Sequence, residues 1–389
     1  MDNGAAIFPW VRVILMSEIN IKKYDYIDAI RGIAITLVVL VHASQYVKPL
    51  SSWLLTVMGE GASGVQLFYV ASAITLCMSW VARKGKDVYP VRSFYLRRLF
   101  RIAPMFYLAI VLFLILNGTA ASYFAPNGIS WWFVPTTALF LHGFHPETIN
   151  SVVPGGWSVA VEMTFYLVFP LLMCVRKFSY LLFILIACIV LQQFNAPLSS
   201  MIFTYEAPQA YLIERFAFFN FFSQLPVFIM GIMAYLFLVK NQAVGLKTLL
   251  LGGAAFLLLL LEFWRPGQTF VQHHVVAGGM FAIFSIFLAY RPTVLLVNRL
   301  TVFLGKLSFS MYLVHIAVLK ILGNTQVNLL FGSGNLNSLL FFLFVLTLTA
   351  GVSWLTYRFV EKPGIALGRK LIDKLEAGRS SAAIYKNIG

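Results

Sequence analysis

The sequence contains few charged residues and particularly few acidic ones. Only 11% of its 389 residues are charged, and 14 Asp and Glu residues stand against 29 Lys and Arg residues. Since about a quarter of the residues of a soluble domain are charged, this composition excludes an ordinary soluble protein. With 60% apolar residues, the chain is typical of a polytopic membrane protein that lies mostly in the bilayer.

The net charge of +15 does not indicate a protein that binds nucleic acid. Such proteins carry a basic face on a soluble fold, whereas the basic residues of membrane proteins gather on the cytoplasmic side. The partner that the composition does predict is the lipid bilayer, and no nucleic acid is expected.

Cysteine is also scarce. The three cysteines, Cys77, Cys174 and Cys188, lie in apolar segments and form no CxxC pair, so neither a disulfide framework nor a cysteine metal site is predicted. Four histidines lack the carboxylate or cysteine companions and the spacing of a zinc site; they are His142, His145, His273 and His274. We therefore expect no metal.

Long apolar runs are abundant, and polar segments separate them. A helix that crosses a bilayer needs about 20 mostly apolar residues, and most of the runs approach or reach this length. The ten runs lie near 27–47, 64–82, 102–120, 157–175, 178–194, 217–239, 247–264, 274–290, 301–322 and 337–360. The sequence therefore predicts an all-α membrane protein with about ten transmembrane helices.

The segment 130–144 is also apolar, but it is short and interrupted by proline and glycine. If it does not cross the membrane, the clusters of Lys and Arg share one side. The other side then has only Lys48, Arg215, Arg265 and Lys320. Because basic residues favour the cytoplasmic side, we predict a re-entrant or interfacial segment here, with both termini in the cytoplasm.

Short tails are predicted on either side of one membrane domain. Residues 1–23 and 364–389 are expected to be cytoplasmic tails, and residues 24–363 form the membrane domain. Residues 1–20 have no cleavage-site pattern, so no signal peptide is expected, and Met16 is an alternative start. We expect no soluble domain after the C-terminal tail.

The first apolar run contains the ionisable residues Asp28, Arg31 and His42. Arg31 and His42 are eleven positions apart, which places them on one helix face and about 16 Å apart along its axis. Ionisable groups within a membrane helix usually face a bundle interior or a wet cavity and mark function. A neutral His42 can accept a proton from a hydroxyl, and Arg31 can bind a phosphate or a carboxylate. Alternatively, His42 bridges helices and Arg31 pairs with Asp28.

A basic cluster follows the second run. As a helix, the segment 92–101 places Arg97 and Arg101 on one face with Arg98 beside them, and Pro104 marks a helix break or a new start. Three arginines at a membrane surface form a good site for a phosphorylated cofactor. The alternative is a contact with lipid headgroups.

Two later runs carry further polar groups. Glu162, one turn after Ser158, is a carboxylate in an apolar helix and must be paired or protonated. It either orients a histidine or hydroxyl, or it forms a salt bridge between helices. Ser308, Tyr312 and His315 share one helix face, where they belong either to a site or to polar helix packing.

The last run ends with a charged pair and a proline. Arg358 and Glu361 are three positions apart and can pair on one helix face. Pro363 is expected to end the helix. The simplest interpretation of this segment is structural.

Taken together, these motifs resemble the integral-membrane acyltransferase 3 family. The resemblance extends from about Tyr24 to Pro363, and the motifs occur in the family order. They are Asp28-x-x-Arg31-Gly32 with His42, the segment from Gly64 to Ala73, Arg97-Arg98-x-x-Arg101-x-x-Pro104, Trp157-Ser158 through Glu162 to Tyr166, Ser308 through His315, and Glu361-Lys362-Pro363. The family commonly has glycine where Ala73 stands, a small departure that concerns local packing.

The resemblance implies an O-acyltransferase of the plasma (inner) membrane. It implies that an acyl group, most simply acetyl, moves from cytoplasmic acetyl-CoA to a hydroxyl of a cell-surface or lipid-linked carbohydrate. The implied catalytic residues are His42 as the base, Arg31 and Glu162. The implied donor-binding residues are Arg97, Arg98, Arg101, Ser308 and Tyr312. Direct transfer and an acyl-histidine intermediate both remain open.

Without the resemblance, the residues themselves are compatible with two other classes of function. Buried Arg, His and Glu also suit a proton-coupled transporter, although no internal repeat of the transporter kind is seen. The third interpretation is a non-catalytic partner in polysaccharide export. The acceptor, the acyl chain length and the oligomeric state do not follow from the sequence.

Overall fold

The computed structural model of the protein describes residues 9–175, 177–241, 245–265 and 270–386, with side chains between 25 and 377. Over these ranges the chain is helical and contains no β-strand, which confirms the predicted all-α class. Residues 1–8 of the predicted N-terminal tail lie outside the described residues. The backbone of residues 9–23, including the alternative start Met16, is part of the first helix.

Within these ranges there are fifteen α-helices. They are α1 (Pro9–Tyr46), α2 (Ser52–Gly59), α3 (Gly64–Ala82), α4 (Pro90–Asn117), α5 (Phe133–Ala138), α6 (Gly156–Leu172), α7 (Phe178–Gln192), α8 (Asn195–Ile202), α9 (Tyr211–Phe219), α10 (Phe221–Lys240), α11 (Leu246–Phe263), α12 (His273–Tyr290), α13 (Arg299–Asn324), α14 (Asn335–Thr356) and α15 (Lys362–Lys386). A π-helical turn, Tyr357–Glu361, joins the last two.

Each of the ten predicted runs falls on a helix. Among the described residues, eight stretches are long and apolar enough to cross a bilayer: Asp25–Tyr46, Ser52–Ala82, Pro90–Asn117, Ala207–Lys240, Leu246–Phe263, His273–Tyr290, Arg299–Asn324 and Asn335–Ala377. The run 178–194 forms α7, which with α8 makes a pair bent by 52°, and the run 157–175 forms the 17-residue α6. The protein is therefore a multi-pass membrane protein. The side on which its termini lie stays a prediction.

The segment 130–144 does not form a further span, as predicted. Its only α-helix, α5, has six residues and is therefore about 9 Å long, against a hydrocarbon core of about 30 Å. A short 3₁₀ turn, His142–Phe144, follows. Between them Phe140 has a positive φ of 61°, which ends the helix and redirects the chain.

Two prolines that were predicted to end or break helices do not do so. Pro104 lies inside the continuous helix α4, and Pro363 is the second residue of α15. Proline lacks one N–H group, and in the first turn of a helix that group has no partner in any case. In membrane helices the surrounding protein compensates for an internal proline, and here Gly364 of α15 packs against the Pro104 ring.

The predicted C-terminal tail is a helix that packs along α4. A Cβ added at Gly368 would lie 2.5 Å from Cβ of Phe100, so the two helices are in direct contact there. Ser93 of α4 donates a hydrogen bond of 2.9 Å to Glu376 of α15. The beginning of α15 therefore covers the basic part of α4.

The predicted pair of Arg358 with Glu361 is wrong. Among the described residues no ion pair joins them. Glu361 is buried and accepts a hydrogen bond of 2.8 Å from Ser310, and the guanidinium of Arg358 lies 5.9 Å from the centre of the Trp354 ring. The π-helical turn explains the difference. Because this turn is wider than an α-helical one, residues three positions apart no longer lie on the same face.

Helices α1 and α13 run parallel in direct contact, and glycines make this contact possible. A Cβ added at Gly32 would lie 2.0 Å from the carbonyl oxygen of Thr301, and one at Gly305 would lie 1.8 Å from that of Asp28. Small residues allow membrane helices to approach this closely. His42 and His315 each follow their glycine by ten positions, so parallel helices bring them to the same height.

Candidate active site

A narrow cavity, here called the arginine cavity, lies where α1, α3, α4, α6 and α13 meet. Its volume is about 70 Å³. Six of the eight predicted site residues line it: Arg31, Arg98, Arg101, Glu162, Ser308 and Tyr312. They come from four helices that are distant in sequence, so only the fold brings them together. His42 and Arg97 are not among its lining residues.

Hydroxyl groups, and not an arginine, hold the carboxylate of Glu162. Ser72 Oγ donates to Oε1 of Glu162 over 2.5 Å, and the Tyr166 hydroxyl donates to the same oxygen over 2.6 Å. The alternative of an interhelical salt bridge is wrong, since no ion pair among the described residues includes Glu162. Among the described residues no hydrogen bond to its second oxygen, Oε2, is seen, so this oxygen is left for a group in the cavity.

Arg31 is held by a threonine from the neighbouring helix. Its Nη2 donates to Oγ1 of Thr75 over 3.3 Å. The alternative in which Arg31 pairs with Asp28 is wrong, because no ion pair joins them among the described residues. The contact of α1 with α3 and α13 turns the guanidinium towards the cavity, so most of its donors remain for an anion.

The arginine cavity carries an excess of positive charge. Arg31, Arg98 and Arg101 line it together with one carboxylate, that of Glu162. None of the three guanidinium groups takes part in an ion pair among the described residues. Nε of Arg98 is buried and has no hydrogen-bond partner in the described protein. Such a group is costly to bury unless a ligand satisfies it, and an anion is the ligand that guanidinium groups favour.

A second pocket, here called the basic pocket, adjoins the cavity where α4 meets α15. It has a volume of about 390 Å³. Arg98 and Arg101 line both spaces and therefore lie on the wall between them. Arg97 lines only the basic pocket, where its guanidinium makes a bidentate contact with Asp87. The three predicted arginines thus lie close together, and Arg97 differs from the others in having a carboxylate partner.

His42 and His315 form a pair with their rings 5.0 Å apart, centre to centre, in an edge-to-face arrangement. Nδ1 of His42 lies 2.8 Å from the carbonyl oxygen of Val38, and Nδ1 of His315 lies 2.7 Å from that of Tyr312. A carbonyl oxygen only accepts, so each Nδ1 carries the proton and each Nε2 presents a lone pair. This is the tautomer that a general base at Nε2 requires.

Tyr312 connects the histidine pair to the arginine cavity. It lines the cavity, and its ring centre lies 5.7 Å from that of His315. Its hydroxyl donates to the carbonyl oxygen of Gly155 over 3.0 Å and accepts from Ser158 Oγ over 2.8 Å. Gly155 has a positive φ of 82° directly before α6, and this left-handed turn, which suits glycine, directs its carbonyl towards Tyr312.

Several contacts of the site were not predicted from the sequence. Thr75, Ser72 and Tyr166 hold Arg31 and Glu162, but hydroxyl residues are common in membrane helices and give no distinctive signal. The sequence places His315 on one face with Ser308 and Tyr312 but does not predict its contact with His42. The equal spacing of His42 and His315 from Gly32 and Gly305 is the signal that could have found the pair.

The remaining four histidines do not line the arginine cavity. Nε2 of His142 donates to the carbonyl oxygen of Gly156 over 3.0 Å, and burial lowers the pKa of His142 to about 4. His145 packs edge-on to Trp132, His273 stacks on Phe263, and His274 contacts Ser223. In the part of the chain that the structure describes, no group of three or more His, Cys, Asp or Glu is arranged to hold a metal ion.

Comparison with known proteins identifies a family. The model of the acyltransferase 3 family, described as an acyltransferase domain, matches residues 24–358. A Staphylococcus aureus (strain COL) protein named "Putative O-acetyltransferase" is 25% identical over 383 residues, which cover 88% of this chain and 58% of that protein. O-acetyltransferase OatA of S. aureus (strain NCTC 8325) is 24% identical over 377 residues, covering 87% of this chain and 56% of OatA. The chain thus spans less than two thirds of these relatives. No solved structure matches it.

Proposed function

The chain belongs to the acyltransferase 3 family, and from this premise we propose that it transfers an acyl group, most simply acetyl, from acetyl-CoA to a hydroxyl of a carbohydrate. The observation that carries the proposal is the order of three neighbouring features: the basic pocket and the arginine cavity share Arg98 and Arg101, and Tyr312 of the cavity contacts the histidine pair. These features offer an anion site, a narrow passage and a base, in that order. The relatives named as O-acetyltransferases support acetyl as the group transferred.

The donor would bind with its phosphates in the basic pocket. Arg98 and Arg101 have no carboxylate partner among the described residues and face this pocket, and guanidinium groups bind phosphate through paired hydrogen bonds. Arg97 contributes from the same pocket once its contact with Asp87 opens. Since the arginine cavity is too narrow for a nucleotide, it would admit only the extended pantetheine arm.

The length of the passage fits this arrangement. Arg31 and His42 are eleven residues apart on α1, which corresponds to about 16 Å along the helix axis. An extended arm that enters beside Arg31 would therefore carry its thioester past Ser308 and Tyr312 towards the histidine pair. Arg31 positions the donor and Glu162, through its free oxygen, orients a polar group of either substrate.

The transfer itself would use Nε2 of His42. This nitrogen accepts the proton of the acceptor hydroxyl, and the oxygen attacks the thioester carbonyl carbon. The new C–O bond forms, the C–S bond breaks, and the protonated His42 returns the proton to the leaving thiolate. Tyr312 would stabilise the oxyanion once its hydroxyl turns from the Gly155 carbonyl oxygen, to which it donates at rest, and His315 would hold the His42 ring in place.

The basic end of the bundle would face the cytoplasm of the cell, where acyl-CoA is made, and the membrane would be the plasma membrane. The test is to delete the gene and restore it as wild type or as His42→Ala. Mass spectrometry of the surface carbohydrates should show acyl groups with the wild type and none with the deletion or with His42→Ala. Restoration of the acyl groups by a well-expressed His42→Ala protein would favour the transporter or the non-catalytic export partner instead.

A further inference from the structure

A polar pocket, here called the lysine pocket, lies at the end of the bundle opposite to the arginines. It has a volume of about 320 Å³, and its polar and aromatic lining includes Asn117, Tyr123, Asn150, Ser151 and Lys320. Lys320 lies on α13 five residues after His315, a separation of about 7.5 Å along the helix axis. The pocket is therefore close to the histidine pair but on the far side from the basic pocket.

The wall of the lysine pocket continues into the candidate active site. Pro154 lines the pocket, and the next residue, Gly155, accepts the hydrogen bond of the Tyr312 hydroxyl. A Cβ added at Gly155 would lie 3.6 Å from Cδ1 of Ile316, so this turn also touches the residue after His315. Only the turn at Pro154 and Gly155 would thus separate a ligand in the pocket from the residues around the histidine pair.

The pocket has polar groups that are free to bind a ligand. The ammonium of Lys320 donates to Oδ1 of Asn117, which uses one of its three donors. Ser151 is only 6% exposed, and its buried Oγ has no hydrogen-bond partner in the described protein. Oδ1 of Asn150 accepts from the Gly155 backbone over 2.7 Å, and within the described ranges no partner takes the two donors of its amide group.

The charge of the pocket is positive. No carboxylate occurs among its described lining residues, and Lys320 takes part in none of the ion pairs that the described residues form. Arg215 lies at its rim, where Nε donates to the Tyr123 hydroxyl over 3.1 Å. Tyr123 is 52% exposed and presents an aromatic face beside these polar groups. The pocket therefore offers amides, a hydroxyl and an aromatic face together with an ammonium that has no carboxylate partner among the described residues. Such groups bind a ligand that is rich in hydroxyls and carries a negative charge.

We infer that the lysine pocket binds the acceptor, and that this acceptor is a sugar bearing an anionic group, which contacts Lys320. The inference rests on the proposed function, since it supplies the second substrate of that reaction. In this arrangement the donor arm and the acceptor approach the histidine pair from opposite ends of the bundle. The amide of Asn150 and the hydroxyl of Ser151 then bind sugar hydroxyls, which leaves one hydroxyl directed at His42.

The test measures binding of sugars to the purified full chain in lipid nanodiscs. The probes are a glucuronate-containing oligosaccharide and its carboxyl-reduced, neutral counterpart. The wild type should bind the acidic probe more tightly. Lys320→Gln should lower affinity for the acidic probe about tenfold or more, the loss expected for one charge-assisted contact, and leave the affinity for the neutral probe unchanged. Lys320→Arg should retain most of the preference.

The matched control is Lys48→Gln, which removes an exposed lysine that lies outside this pocket. It should leave both affinities unchanged. Equal affinity of wild type and Lys320→Gln for the acidic probe overturns the inference, as does a wild type that binds neither probe. If Lys320→Gln instead loses binding of phosphatidylglycerol, the pocket is a lipid site and the inference is wrong. Acetyl-CoA binding is measured on the same samples: its absence from the wild type would overturn the proposed function, whatever the sugars do.

Discussion

At the scale of single residues, backbone carbonyls decide what the two histidines can do. The carbonyls of Val38 and Tyr312 fix the proton of each ring on Nδ1, so both Nε2 atoms are free to accept. Nε2 of His315 is buried and has no hydrogen-bond partner within the described residues, whereas His42 is partly exposed. We therefore assign the proton transfer to His42 and a positioning role to His315.

Replacing His42 by Gln tests this assignment. Glutamine keeps the size and polarity of the side chain but removes the titrating nitrogen, so acyl transfer should fall by about 10²-fold or more. Acetyl-CoA binding should stay unchanged, because the phosphate contacts lie at the other end of the passage. The measurement is the transfer rate of purified protein, next to its acetyl-CoA affinity.

The same substitution at His273 is the control. His273 is half-exposed, stacks on Phe263 and lies on α12, away from the site. His273→Gln should transfer at the wild-type rate. A His42→Gln protein that is folded and also transfers at the wild-type rate would show that the proposed base is wrong.

Replacing Arg98 by Ala tests the donor site. Arg98 lines both the arginine cavity and the basic pocket, and its loss should weaken acetyl-CoA binding by about 1.5–3 kcal/mol, or roughly tenfold to a hundredfold. Arg92→Ala, an exposed cation on the same helix that lines neither space, should have little effect. Unchanged affinity in Arg98→Ala, measured by titration calorimetry, would place the donor elsewhere.

At the scale of helices, the contact between α1 and α13 positions the site. Gly32 and Gly305 allow the two backbones to touch, and the equal distance from these glycines then sets His42 beside His315. The same contact places Arg31, Ser308 and Tyr312 around one cavity. A change that separates the two helices should therefore disturb all of these residues together.

The substitution Gly305→Ala should have this effect. The new Cβ would lie 1.8 Å from the Asp28 carbonyl oxygen, so α13 must move, and overpacking of this kind costs about 1–3 kcal/mol. We expect a lower midpoint of thermal unfolding in detergent and a lower transfer rate. Gly253→Ala on α11 is the control, because nothing lies within 4 Å of its added Cβ. Equal midpoints for Gly305→Ala and the wild type would contradict the close contact.

At the scale of the whole molecule, the orientation in the membrane determines which substrate reaches which end. The basic pocket, α15 and the basic part of α4 lie together at one end, and the lysine pocket lies at the other. The clustering of Lys and Arg predicts that the basic end faces the cytoplasm. The donor would then enter from inside the cell and the acceptor from outside.

Reporter fusions test this orientation. A fluorescent protein fused after Lys386 should be bright, because it folds in the cytoplasm, and alkaline phosphatase fused after Asn150 should be active, because it requires the outside of the membrane. A fluorescent protein fused after Arg83, within the basic segment, serves as the cytoplasmic control. Cytoplasmic behaviour of the Asn150 fusion would show that the segment 130–144 is not at the outer face and that the predicted orientation is wrong.

Much of the fold follows from the sequence alone. The ten apolar runs correspond to ten helices, because in a bilayer a long apolar segment satisfies its backbone polar groups only by forming a helix. That Arg31 and His42 share one face of α1 stays a prediction from periodicity. Six of the eight residues predicted for the site line one cavity; the motifs predict these residues, but not that they share a cavity.

Only the tertiary structure decided which side chains meet. Periodicity gives the face of a residue on its own helix, but it does not say which helix lies opposite that face. For this reason Arg31 contacts Thr75 and not Asp28, Glu162 is held by Ser72 and Tyr166 and not by an arginine, and His42 lies beside His315. These contacts depend on how closely helices distant in sequence approach, and for α1 and α13 the glycines Gly32 and Gly305 determine that distance.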